Sequence, residues 1–259
     1  MTIPNSTFKT ENLFKDRLLK GEILYGGWAT MGSTVGTELL GHSGFDWVLI
    51  DGEHGANDYQ TSVSQLLALN GTTAAAFIRP DSNDHVTLKR LLDFGFYNFL
   101  IPMVESANEA LSAVRATRYP PEGIRGVSVS TRTNRFGMQK DYFEKINQAI
   151  CLMVQIESKL GVENVEEIAT VAGVDCIFIG PQDIAASMGY IANPGAEPVQ
   201  KLMHELTKRI RCLGKPVGIL AADEVDAARY RDWGIQFIGV GSDQGFIKRN
   251  AAGVLKALK

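Results

Sequence analysis

ICLMVQIESKLGVENVEEIATVAGVDCIFIGPQD, residues 150–183, is the stretch that decides the fold. Two apolar runs in it, 151–156, broken only by Gln155, and 176–179, are of strand length, with a helical pattern between them. That is a βαβ unit of a parallel sheet. The first run leads into Glu157 just past Gln155, and the second into Gly180, Pro181, Gln182 and Asp183. Adjacent parallel strands with acids at their carboxyl ends place Glu157 and Asp183 side by side at one rim, where a strand-and-helix barrel keeps its chemistry. Two such carboxylates either repel each other or share a cation. With no Cys or His at either tip, the cation expected is a hard one, Mg2+ or Mn2+, completed by water and substrate oxygens.

Working outward, eight strand patterns fall at 25–31, 47–52, 74–80, 98–104, 151–157, 176–181, 216–222 and 236–241, with helical patterns such as 85–94 and 197–212 between them. Eight alternations predict one (β/α)8 barrel over 1–259, with a doubly wound open sheet as the other reading. Ahead of the first strand, Phe14, Leu18 and Leu19 predict a helix over 8–20 that caps the barrel bottom or packs on a neighbour.

A chain of 259 residues that is 45% hydrophobic fills one barrel core. A net charge of -3 and a pI near 5.9 offer no basic footprint for nucleic acid. No run approaches the roughly 20 apolar residues that span a bilayer, and the first residues lack a signal-type apolar core, so a cytoplasmic protein is expected. Three cysteines, Cys151, Cys176 and Cys212, show no metal spacing; the first two lie inside strand patterns and read as buried thiols.

The other strand ends add charge. WVLIDGEH brings Asp51, Glu53 and His54 to the rim, and FIRP brings Arg79. A guanidinium there suits an oxygen that carries or develops negative charge, or it forms a salt bridge to Asp51 or Glu53. On its own, Asp93 at the end of a helical pattern reads as a solvated residue. The connection 119–147, with Arg118, Arg125, Arg132 and Arg135 in or beside it, is far longer than such a link needs. It is either a packed surface loop or a contact for a substrate anion. GVGSDQG, at the last strand, resembles a phosphate cradle at a helix start.

Several separated motifs carry a resemblance in order along the chain: DGEH, RLLDFGFYNFLIP, TRYPPEGIRGVSVS, VQIES, FIGPQD, GKPVGILA and VGSD. Together they resemble the HpcH/HpaI family of metal-dependent pyruvate aldolases, in particular its sugar-acid members. The resemblance implies a TIM barrel of the phosphoenolpyruvate/pyruvate type, assembled as a homohexamer, a dimer of trimers, with terminal helices exchanged between subunits. It implies a divalent metal, Mg2+ foremost and Mn2+ or Co2+ as substitutes, held by Glu157 and Asp183. His54 then matches the catalytic base, Asp93 the acid that orients it, and Arg79 the stabiliser of the reacting oxygen. Gln155, Gln182 and Asp183 match substrate contacts.

The implied reaction splits a 4-hydroxy-2-oxo acid, 2-dehydro-3-deoxyglucarate or 5-dehydro-4-deoxyglucarate, into pyruvate and tartronate semialdehyde. Its partners are therefore a small 2-oxo acid and an aldehyde. The alternatives are a 4-hydroxy-2-oxoheptanedioate aldolase releasing succinate semialdehyde, and a barrel that binds 2-oxo acids without turnover. The strand patterns contain no Lys, which leaves a Schiff-base mechanism without its nucleophile. Gln182, Thr131, Thr133, Arg135 and Asp223 depart from the sugar-acid pattern, and they bear on the aldehyde half rather than on pyruvate.

Overall fold

Parallel strands rich in β-branched and aromatic residues are stable only when both faces are covered, and the chain supplies a helix after each to do it. The computed structural model describes residues 10–259. In chain order the strands are β1 (Leu24–Ala29), β2 (Trp47–Asp51), β3 (Ala75–Arg79), β4 (Asn98–Ile101), β5 (Cys151–Ile156), β6 (Cys176–Ile179), β7 (Val217–Leu220) and β8 (Phe237–Ser242). They pair in sequence order, all parallel, and β8 closes on β1. The open-sheet reading is thereby set aside.

The helices are α1 (Leu13–Leu19), α2 (Thr34–His42), α3 (Tyr59–Leu69), α4 (His85–Phe94), α5 (Ala107–Thr117) and α6 (Tyr142–Ala149). After them come α7 (Lys159–Glu163), α8 (Val165–Ala169), α9 (Pro181–Ser187), α10 (Glu197–Cys212), α11 (Glu224–Asp232) and α12 (Asp243–Leu258). β2 to β7 are one to three residues shorter than their sequence patterns, β1 begins one residue earlier and ends two earlier than its pattern, and β8 keeps the expected length shifted by one residue.

Inside the barrel, Trp28, Trp47, Phe77, Phe178 and Phe237 interlock, with Trp47 stacked on Phe237 at 3.8 Å between ring centroids. Gly26 makes the room: a Cβ there would lie 2.0 Å from the Trp47 ring. From below, α1 plugs the barrel. Asn12 caps it, Phe14 meets Phe77 edge-on at 4.9 Å, and Lys15 binds Asp175 at 3.0 Å. The expected helix is therefore shorter than 8–20; residues 8 and 9 lie outside the described residues, and Leu19 is exposed.

The described part of the first helix thus packs under its own barrel. Phe14→Ala is expected to destabilise the fold by about 3 to 5 kcal/mol, read as a lower urea midpoint at unchanged slope. A midpoint within error of the parent would show that the plug is not part of the cooperative core.

Cys151 and Cys176 are buried free thiols, as their strand positions indicated, and Cys212 is exposed. No helix among the described residues is long and apolar enough to cross a membrane.

Candidate active site

All eight strands run the same way, so their carboxyl ends meet at one rim. The register between β5 and β6 sets Ile156 beside Ile179, which brings Glu157 beside Gly180. Gly180 leaves that space open, since a Cβ would stand 2.7 Å from the Cβ of Glu157 and 2.9 Å from its Oε2. Glu157 is buried; its Oε1 accepts from the Met103 N–H at 2.7 Å and its Oε2 from Gln155 Nε2 at 2.5 Å. Met103 holds a left-handed backbone, φ 50°, in making that contact.

Burial pushes the Glu157 carboxyl up to about 7; the Met103 N–H opposes the shift, and the neighbouring charges of Glu53 and Asp183 add to it. Asp183 lies in the first turn of α9 and is exposed. Gln155 Oε1 is buried without a hydrogen-bond partner.

Across the rim, β2 and β3 pair so that Asp51 lies beside Arg79. Their contact is bidentate: Arg79 Nε donates to Asp51 Oδ1 at 2.9 Å and Nη2 to Oδ2 at 2.7 Å, while Nη1 stands 2.9 Å from Glu53 Oε2. The salt-bridge use of Arg79 is therefore realised on both acids at once. Two of its five N–H groups are left over from these three contacts. Asp51 Oδ1 also accepts from the N–H groups of Glu53 and His54, at 3.1 and 3.2 Å. Burial raises the Glu53 carboxyl, and Arg79 opposes that shift. The His54 imidazole is exposed, with Nε2 3.9 Å from Glu53 Oε2. A cavity of about 350 Å³ opens beside Glu53, walled by Asp81, Ser82, Asn83, Pro102, Met103, Glu109 and Ser112.

Of the residues singled out from sequence, Glu157, Gln155 and Asp183 come together, and His54 joins Arg79 through Glu53 and Asp51. Gln182 is exposed beside Asp183 in α9. Asp93 does not join them. It sits in the last turn of α4, which starts at the rim and runs to the opposite end of the barrel, and its Oδ1 accepts from Arg125 Nη2 at 2.9 Å. Neither a solvated Asp93 nor one that orients His54 of the same chain matches this position.

The long connection after α5 is packed at that same end. Arg118 and Arg125 are buried in it, and Arg132 donates to the Phe94 carbonyl at 2.6 Å. Its arginines are thus neither solvated as a group nor at the rim of their own barrel. A larger cavity of about 670 Å³, walled by Gly95, Tyr97, Arg132 and Thr133, lies at that end and away from the strand tips.

The cradle anticipated at the start of α12 is filled by the chain itself. Ser242 Oγ accepts from Gly245 N, and the buried Asp243 carboxylate accepts from the N–H groups of Gln244, Thr30 and Met31. A phosphate would meet that carboxylate rather than open amides.

The sequence reading anticipated Asp51 as a salt-bridge partner of Arg79, but not its hold on the N–H groups of Glu53 and His54. The Met103 N–H carried no signal in the sequence.

The donor set around Glu157 fits a hard divalent cation. Among the described residues no three His, Cys, Asp or Glu side chains are grouped to hold an ion, so there is no closed cage. Two carboxylates that follow different strands, an unpartnered amide oxygen and an open glycine position make a half-open oxygen set of the kind that would suit a hard divalent cation with water or ligand oxygens completing it. A buried carboxyl raised to about 7 is one that a cation would ionise.

Fold and site together define a (β/α)8 barrel with carboxylates and an arginine gathered at the carboxyl rim of its strands. The family model for HpcH/HpaI aldolase/citrate lyase matches residues 25–249, and the chain belongs to that family. The 5-keto-4-deoxy-D-glucarate aldolase of Shigella boydii is 51% identical over 237 residues, 92% of each chain. The crystal structure of an HpcH/HpaI aldolase/citrate lyase family protein from Burkholderia cenocepacia superposes with a TM-score of 0.93 at 37% identity, over 95% of this chain and 99% of that one. A more distant structure, the protein CitE from Mycobacterium tuberculosis in complex with magnesium and acetoacetate, shares the fold with a TM-score of 0.57 at 12% identity, over 87% of this chain and 88% of that one.

Proposed function

We propose that this chain is a divalent-metal-dependent (class II) aldolase that cleaves 5-dehydro-4-deoxyglucarate, or its 2-dehydro-3-deoxy isomer, to pyruvate and tartronate semialdehyde. The observation that carries the chemistry is the buried Glu157 set beside Asp183, Gln155 and an open glycine at the rim. The curated relative's name, at 51% identity, carries the substrate.

Glu157 and Asp183 would hold the cation, with Mg2+ as the ion that suits oxygen donors and few protein ligands. When bound, the cation supplies positive charge to the oxygens of the pyruvate half. Gln155, with its free Oε1, and the first turn of α9 at Gln182 and Asp183 would contact the substrate. His54, exposed on its turn and within reach of the rim, takes the proton of the 4-hydroxyl as the bond between carbons three and four breaks. Arg79 turns its two remaining N–H groups to the oxygen on which charge grows. A lysine route lacks its nucleophile, because no strand of the barrel contains Lys.

The reading also favours an assembly of copies, the hexamer of the resemblance. Beyond its first turn, where Asp243 is buried and Phe246 packs on Phe45, α12 buries no residue against its own barrel, and Ile247, Val254, Leu255 and Leu258 are exposed along it. Such a helix gains by packing on a second copy. In that assembly Asp93 could serve His54 only from a neighbouring copy. A cytoplasmic location accords with buried free thiols.

Pyruvate release from 5-dehydro-4-deoxyglucarate by metal-stripped protein, with and without added Mg2+ or Mn2+, tests the reading. Activity is expected only with metal. His54→Ala is expected to lower kcat by about 10²- to 10⁴-fold with pyruvate binding retained. Pyruvate formed equally well in chelator would overturn the metal-dependent reading, and succinate semialdehyde formed faster from the heptanedioate would overturn the sugar-acid one.

A further inference from the structure

The turn that carries His54 is clamped by a side chain that the reaction itself does not use. Asn57, three residues beyond His54, donates from Nδ2 to two backbone carbonyls, Asp51 O at 2.8 Å and Ala29 O at 3.2 Å. It therefore ties the last residue of β2 to the last residue of β1. Its Oδ1 accepts from Gln65 Nε2 at 2.5 Å, and Gln65 Oε1 accepts from Thr37 Oγ at 2.7 Å.

Thr37 and Gln65 are fully buried on α2 and α3. The chain of partners also settles which way each amide faces: carbonyls only accept, so Asn57 must present Nδ2 to them and Oδ1 to Gln65. At the same turn, Ala56 N donates to Thr30 O at 2.8 Å, and a Cβ at Gly55 would fall 2.3 Å from Asp51 O and 2.8 Å from Asn57 Nδ2. At the other end, Asp51 Oδ1 takes the N–H groups of Glu53 and His54. The His54 side chain is 69% exposed, with only the 3.9 Å approach to Glu53, so within this chain its place is set by its backbone.

We propose that Asn57 is a positioning residue of the reaction: by fixing the backbone of residues 52–57 it sets His54 at the hydroxyl that loses its proton. The inference rests on the aldolase reading and on His54 as its base. A misplacement of about 1 Å at a reacting group costs on the order of 100-fold in rate, whereas the groups proposed to hold the pyruvate half, Gln155, Glu157 and the first turn of α9, stand at the ends of β5 and β6 and make no contact with Asn57.

Asn57→Ala removes both donor contacts, and it is expected to lower kcat by about 10- to 100-fold while pyruvate affinity stays within about threefold. A purely structural tie would instead lower the Tm and leave kcat unchanged. The deciding measurement is a double-mutant cycle: in a His54→Ala background, Asn57→Ala is expected to change the residual kcat by less than about twofold, because the group it positions is gone. Gln65→Leu leaves Asn57 in place but frees its Oδ1; it is expected to act in the same direction with smaller size, and it carries the test if Asn57→Ala does not fold.

Equal losses in both backgrounds, a parental kcat in Asn57→Ala, or pyruvate affinity falling in step with kcat would each overturn the proposal. A parental Asn57→Ala beside an inactive His54→Ala overturns this inference alone. A fully active His54→Ala overturns the base assignment and this inference with it.

Discussion

Glu157→Gln is expected to abolish pyruvate release and, at the same time, to make the metal-free protein more stable above pH 7. The two effects share one cause. Burial, reinforced by the charges of Glu53 and Asp183, raises the Glu157 carboxyl from its ordinary 4.5 to about 7. In the unfolded chain the group ionises near 4.5, so between 4.5 and 7 the folded protein binds a proton that the unfolded chain has given up. The stability linked to that proton is fully present below 4.5 and is lost as pH rises through 7.

At pH 8 the parent therefore carries a charge that its surroundings oppose, while glutamine stays neutral. The glutamine also keeps its neighbours: its oxygen can accept from Met103 N, and Gln155 can turn its unpartnered Oε1 toward the new amide. Melts in chelator should put the variant a few degrees above the parent at pH 8 and close to it at pH 4.5. A variant that melts lower at pH 8 would show that Glu157 is not strained by burial. Activity should be lost at every metal concentration, because an amide cannot supply the charge that holds a hard cation. In the parent, Mn2+ binding at the proposed site is expected by the same linkage to release a proton below pH 7, and calorimetry in buffers of different ionisation enthalpy would register it.

Arg79→Ala is expected to cost about 3 to 5 kcal/mol of stability together with essentially all activity. Arg79 is 8% exposed and is the guanidinium shared by Asp51 and Glu53. Removing it leaves two partly or fully buried carboxylates facing each other without a counterion, and the Glu53 carboxyl, already raised by burial, would rise further. Asp51 also holds the N–H groups of Glu53 and His54, so the turn of the proposed base should loosen with it. Arg79→Lys keeps the charge but not the fork, and should recover part of the stability with little of the rate. An Arg79→Ala protein that melts and turns over like the parent would show that the bidentate contact is incidental.

Much of the rim was legible in the chain because parallel strands all end on the same side. Once 150–183 is read as strand, helix and strand, every acid or arginine that directly follows an apolar run is committed to one rim, and Glu157, Asp183, Asp51, Glu53, His54 and Arg79 follow without further information. Asp93 was not legible in this way. It rides on a helix that starts at the rim and ends at the other face, and its partner Arg125 comes from a connection whose path no periodicity describes. The resemblance supplied a role for it, but the fold places it out of reach of His54 in its own chain.

The sequence by itself determined the eight strand-and-helix alternations, the set of charged strand tips and the absence of a lysine among the strands, since these depend only on alternation and on residue types at strand ends, whereas the closure of the sheet was decided by the pairing of β8 with β1. Only the tertiary structure decided what those tips do to one another. The bidentate grip of Arg79 on Asp51, the left-handed Met103 that caps Glu157, the filling of the α12 start by Asp243 and the clamp of Asn57 across two strand ends all join residues distant in sequence or depend on backbone geometry. Hydrogen bonds and desolvation act over a few ångströms in space, and the spacing of residues along a chain does not report those distances.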